Sequence, residues 1–454
     1  MEYTELADYP LPDGAVTTWS PVCAPESWTD DDRRLTHDHE AHLASAADGS
    51  WIGSVLRIPL RHDAGALRRA LRAWIARHEA LRTTVSRDGE SSWRRHLVAE
   101  DAVDVDPQPR GELTGSAAHD LIADFFAGVT PDRWPHCRFA TVVGDDGFVL
   151  AFGADHSVMD AYSQLLFFGE IVELYERALA GDRDGEMAAL DVGSHVDHSA
   201  AARSLSEVVD AEHPVVAHWR EFLHDGEFPA MEGASPQVPA SSELPQHSLS
   251  RWAVRPADAD RMERLCSNLG TGPQSGVFAA IALAMRERTG SERLRFVLPM
   301  HTRSDRRHAG AVGWYVGLCP VDVDLGGVTD FGEVVARTRA GISGGRGCVK
   351  TSFARVADIL ELDAEPRFVM SYVDVRKVPG SERWPEWNAR ALRSPEPSRD
   401  EVYLWLVHSD EGISVSARCG RSERSLLAVE SLITGFEKTF TEVLGAPEAL
   451  EVGA

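Results

Sequence analysis

Asp155-His156-Ser157-Val158-Met159-Asp160 lies where an apolar run ends and an amphipathic run begins. Before it, Phe148-Val149-Leu150-Ala151-Phe152 reads as a buried strand. After it, Ala161 to Leu179 reads as a helix, with Leu165, Phe168, Ile171, Val172, Tyr175 and Leu179 on one stripe. A histidine at the end of a buried strand, four residues ahead of a carboxylate, is a candidate general base at the edge of a cavity. Imidazole titrates near neutral pH, so it accepts a proton there without a large shift.

Outward from this stretch, both halves of the chain mix helix and strand. Residues 51–60 alternate as a strand, and 64–80 read as a helix with Leu67, Leu71, Trp74 and Ile75 on one face. Leu81 to Ser86 reads as a strand and 117–127 as a short helix. Arg138–Val143 and Phe148–Phe152 form a hairpin around Asp145-Asp146-Gly147. A polar stretch follows, broken by a helix near Pro214–Leu223, and Pro236 to Pro245 has linker composition. Beyond it come strands at 249–254, 294–299, 314–323, 368–373, 402–407 and 413–417. Helices are expected at 257–269, 275–289, 331–343 and 426–444. The expected organisation is α/β (α+β): a lobe over 1–195, a connecting segment over 196–250 and a second lobe over 251–454. A seam between two such lobes is a common place for a ligand site.

Composition bounds the function. The chain has 454 residues, 43% hydrophobic and 26% charged, as in a globular protein. No apolar stretch is long enough to span a bilayer, and the opening residues carry no secretory signal. The six cysteines are scattered, which fits a reducing cytoplasm and argues against a zinc site. A formal charge of −25 opposes binding to nucleic acid or an anionic membrane. Two basic clusters stand out against it, at Arg57–Arg95 and at Arg303, Arg306, Arg307 and His308. They read either as solvated faces or as a landing patch for an acidic partner.

Several segments, in order, resemble the condensation-domain superfamily of nonribosomal peptide synthesis. That superfamily includes chloramphenicol-acetyltransferase-like enzymes and polyketide-associated acyltransferases. Its core pattern is His-His-x-x-x-Asp-Gly. His156 and Asp160 match it, whereas Asp155 and Ala161 replace the first histidine and the glycine. Arg77-His78-Glu79-Ala80-Leu81-Arg82-Thr83 resembles an early family motif. The helix from Gly276, the segment Arg303 with Val312-Gly313-Trp314-Tyr315-Val316, and the stretch Phe368 to Arg376 resemble later ones.

The resemblance implies a V-shaped pair of acetyltransferase-like lobes with a central tunnel and His156 at its middle. It implies an acyltransferase forming an amide or ester in specialised-metabolite biosynthesis. The acyl donor would be a thioester on an acyl- or peptidyl-carrier protein or on coenzyme A, and the acceptor a small amine or alcohol. No bound cofactor or metal is expected; the phosphopantetheine or coenzyme A arm belongs to the substrate. In this scheme His156 is the base and Asp160 is salt-bridged to Arg303, with Asp155 and Ala161 as motif support. Gly313, Trp314, Tyr315, Met370, Ser371 and Tyr372 would line the tunnel. Two other readings stay open: a catalytically silent interaction module, and an enzyme of the same fold turned to cyclisation or rearrangement.

Overall fold

In the computed structural model of the chain the apolar run before the motif is strand Gly147–Ala154. The structure describes residues 2–45, 49–89, 92–188, 192–223, 225–234, 245–396 and 401–445. Strand Gly147–Ala154 pairs antiparallel with Cys137–Gly144 on one side and Ile52–Ile58 on the other. The sheet runs in the order Tyr3–Thr4, Arg390–Arg393, Ile52–Ile58, Gly147–Ala154, Cys137–Gly144, Gly14–Val22, Asp104–Leu113. Successive side chains point to opposite faces. Phe148, Leu150, Phe152 and Ala154 therefore join the core built with helices Ala64–Arg77 and Ala161–Ala180. Val149 and Ala151 join the core under helix Gly115–Ala127. Burial on both faces explains why this strand is apolar at every position.

A second sheet has six strands, in the order His247–Val254, Gly412–Cys419, Val402–Ser409, Phe368–Asp374, Arg293–His301, Val316–Asp324. Helices Pro256–Asn268, Pro273–Thr289, Phe331–Gly345 and Glu423–Gly445 bury their apolar sides with it. Its other face, at Val297 and Val369, packs on Trp219, Phe222 and Val356. A three-stranded sheet of Trp28–Asp31, Ser92–Val98 and Thr83–Asp88 stands beside the first.

Several boundaries differ from the sequence reading. The strand expected from Leu81 starts at Thr83, because Glu79–Arg82 closes into a 3-10 turn. The strand expected over 314–323 starts at Val316, because the Tyr315 N–H is taken by Asp160 at 3.0 Å. Strands Gly14–Val22 and Asp104–Leu113 and helices His195–Glu207 and Phe353–Leu360 are additional. The proposed linker lies, except for Pro245, outside the described residues. Residues 390–393 fall inside the segment expected to form the second lobe, yet they pair in the first sheet. Arg390 stands opposite Val55 and Arg393 opposite Ile52. Among the described residues no helix is long and apolar enough to cross a membrane.

Candidate active site

The motif turns the corner between the strand and the helix. Asp155 caps the short 3-10 turn His156–Val158 and accepts the Ser157 N–H at 2.8 Å. Asp160 then caps helix Ala161–Ala180 and accepts the Ser163 N–H at 2.7 Å. His156 is thereby held on the corner itself. Ala161 is the first helical residue and has no positive φ, so alanine in the usual glycine position is unstrained.

His156 is partly exposed, and its ring packs against Trp314 with centroids 4.9 Å apart. Its Nδ1 is buried and bonded to no other residue. That leaves Nε2 as the nitrogen able to meet a substrate. Burial, then the nearby His42 charge, push the His156 pKa below the ordinary imidazole value. Its own backbone carbonyl, Asp155 and Asp160 oppose them without prevailing.

Asp160 is fully buried and receives four hydrogen bonds. Oδ1 accepts from Ser163 N and from Arg303 Nη2 at 3.1 Å. Oδ2 accepts from Arg303 Nη1 at 2.7 Å and from Tyr315 N at 3.0 Å. Burial raises the carboxyl, but the Arg303 charge and these bonds outweigh it and hold its pKa below the usual range. Arg303 also donates to Ser163 Oγ and to the Ala311 carbonyl, and its guanidinium lies over the Tyr315 ring at 4.2 Å. Since Arg303 follows strand Arg293–His301 of the second sheet, this cluster bridges the two sheets. The Gly313 N–H donates to Ser163 Oγ at 3.1 Å, drawing the 312–315 segment onto the helix start.

Of the residues expected to line a tunnel, Trp314, Ser371 and Tyr372 keep accessible surface, whereas Gly313, Tyr315 and Met370 are sealed from solvent. Strand alternation turns Met370 into the second-sheet core. Tyr315 is covered by Arg303 and the rings of His195 and His198. The Tyr372 hydroxyl bonds His408 Nδ1 at 2.8 Å. Among the described residues no hydrogen bond or ring contact joins Met370, Ser371 or Tyr372 to His156. Most of the basic-cluster arginines have partners within the chain. Arg68 pairs with Asp104, Arg69 with Asp184, Arg94 with Asp30 and Asp88, and Arg307 with Asp305. Among the described residues no group of three or more His, Cys, Asp or Glu side chains is arranged to hold a metal ion.

Two further sets of contacts, one made by His42 and one by His78 of the early motif, were not assigned from the sequence. His42, from helix His37–Ser45, sets its Nε2 3.1 Å from Asp155 Oδ1. His78 donates through Nε2 to Glu170 Oε2 at 2.8 Å, and its Nδ1 accepts the Val312 N–H at 3.4 Å. The early Arg77–Thr83 motif is thus anchored both to the motif helix and to the segment leading to Trp314. The only sequence signal for His42 is a run of three histidines between residues 37 and 42.

Comparison with known proteins places this geometry. The Condensation domain family matches residues 43–372. Acyltransferase PapA3 of Mycobacterium tuberculosis is 24% identical over 332 residues, covering 71% of this chain and 68% of the relative. Trehalose-2-sulfate acyltransferase PapA2 of the same species is 26% identical over 286 residues, covering 62% and 59%. A solved PapA2 acyl transferase structure superposes with a TM-score of 0.88 at 20% identity, covering 98% of this chain and all of that one. The chain belongs to the condensation-domain family and is an acyltransferase of that fold.

Proposed function

We propose that this acyltransferase moves an acyl group from a carrier-protein or coenzyme A thioester to an alcohol or amine, with His156 as general base. The observation that carries the reading is the posture of His156. A rigid strand–helix corner presents the ring, Nδ1 is buried, and Trp314 flanks it. Nε2 would take the proton from the acceptor as that group attacks the thioester carbon. The thioester supplies the driving force, so the protein's task is to position two substrates and manage protons. With every lone pair of Asp160 occupied, that carboxylate has a structural role. Of the two acceptor classes, an alcohol has the support of the relative named for trehalose 2-sulfate. The reading further requires a channel to His156 for the phosphopantetheine arm, in a protein that works in the cytoplasm.

The test is mass spectrometry of products from a panel of acyl-carrier and acyl-coenzyme A thioesters offered with alcohols and amines. Product made by wild type and lost in folded His156→Ala is the expected result. Equal product from both would remove His156 as the base. The acid limb of the kcat/KM profile is expected below about 6.5, the ordinary imidazole value. Burial and the His42 charge both disfavour the protonated ring, so the base stays neutral to lower pH.

A further inference from the structure

Where the motif's first histidine would stand, Asp155 recruits an imidazole from elsewhere. Asp155 is 2% exposed, and its Oδ1 faces both the Ser157 N–H and His42 Nε2. His42 lies 113 residues earlier in the chain. Its ring stands edge-on to Trp314 at 5.5 Å and 6.4 Å from the His156 ring. One indole therefore flanks both imidazoles.

The His42 side chain keeps 21% of its surface exposed, so the ring is not a sealed packing group. A carboxylate facing Nε2 favours the tautomer that carries its proton there and leaves Nδ1 as the nitrogen free to face a substrate. Burial raises the Asp155 carboxyl, yet the His42 bond and charge and the Ser157 bonds hold it down at about 2. The acceptor for Nε2–H thus stays ionised through the neutral range. Besides Asp155, His156 and His39 feel the His42 charge.

We propose that His42, oriented by Asp155, is a second acid–base residue that protonates the departing thiolate while His156 deprotonates the acceptor. This rests on the acyl-transfer reading above. The acceptor O–H or N–H bond breaks, and its proton goes to His156 Nε2. The acceptor atom bonds the thioester carbon and the C–S bond breaks. The electron pair left on sulfur takes the proton from His42 Nδ1. An ester or amide and a free thiol result. His156 is left protonated and His42 neutral, and one proton passing between them through solvent restores the site. A thiol has a pKa of about 8.5, so an imidazolium donates to its thiolate downhill. Without a donor, a bare thiolate would form in a partly buried site beside the Asp155 carboxylate, where its desolvation is costly.

The leaving group provides the test, because 4-nitrothiophenolate departs without needing a proton. One acyl group is offered as its coenzyme A thioester and as its 4-nitrothiophenyl thioester to wild type, His42→Gln, Asp155→Asn and His156→Ala. Loss of kcat/KM on the order of 10²-fold with the coenzyme A thioester, and much less with the aryl thioester, is expected for His42→Gln and Asp155→Asn. His156→Ala is expected to lose both. Equal losses on the two thioesters in His42→Gln, or none, would overturn His42 as the acid and leave acyl transfer standing. A wild type that transfers from neither would overturn acyl transfer itself. Should Asp155→Asn fail to fold, His42→Gln decides alone.

Discussion

At Asp160 every lone pair is used, and the donors come from both sheets. Breaking a buried pair costs more than the pair contributes, because it strands the opposite charge without water. Asp160→Ala should therefore lower stability by about 3–5 kcal/mol in denaturant unfolding, since the Arg303 side chain has little other access to solvent. An unchanged midpoint would contradict this account. The Asp160 pKa is depressed in the folded state, so its contribution is complete above the ordinary carboxyl value of about 3.9. That contribution drains away only as pH falls through the depressed value. His156, Asp160 and Arg303 were legible because each sits in a segment of recognisable pattern. His42 was not, because its contact with Asp155 is long-range and no local pattern encodes it.

Among the elements, the start of helix Ala161–Ala180 organises the site. Ser163 links it to Gly313, and the Gln164 amide donates to the carbonyls of Gly53 and Leu392, tying it to two strands of the first sheet. Gly313 fits closely against the helix that carries His195. A Cβ there would fall 2.4 Å from the His195 ring. Gly313→Ala is expected to displace the segment carrying Trp314 and the Tyr315 N–H, costing about 1–3 kcal/mol. A lowered melting temperature together with reduced transfer activity would show it. Native values for both would mean that the His195 helix yields without cost. The helix itself was readable from its stripe and from Gly181, whose φ of 90° closes it. Strand Gly14–Val22 was not, because its apolar alternation is interrupted by Thr17, Thr18 and Ser20; Thr18 is nonetheless buried.

Across the whole molecule the two sheets exchange chain. Strand Arg390–Arg393 completes the first sheet between Tyr3–Thr4 and Ile52–Ile58. Arg393 is buried there, donating to the Tyr3 and Ala417 carbonyls and lying over Trp405. A fragment ending at Ala234 would leave the edge of Ile52–Ile58 unpaired, a template for aggregation. It should be insoluble alone and be rescued by co-expression with residues 245–454; a soluble, cooperatively unfolding fragment would refute the dependence. The sequence by itself determined the mixed α/β class, most helices and strands, and the corner that presents His156, because periodicity and end signals act over neighbouring residues. Only the tertiary structure decided which strands share a sheet, that Met370 and Tyr315 are sealed away, and that His42 meets Asp155. Those outcomes depend on pairing and burial between distant segments, which the free energy of the whole chain selects and no local pattern records.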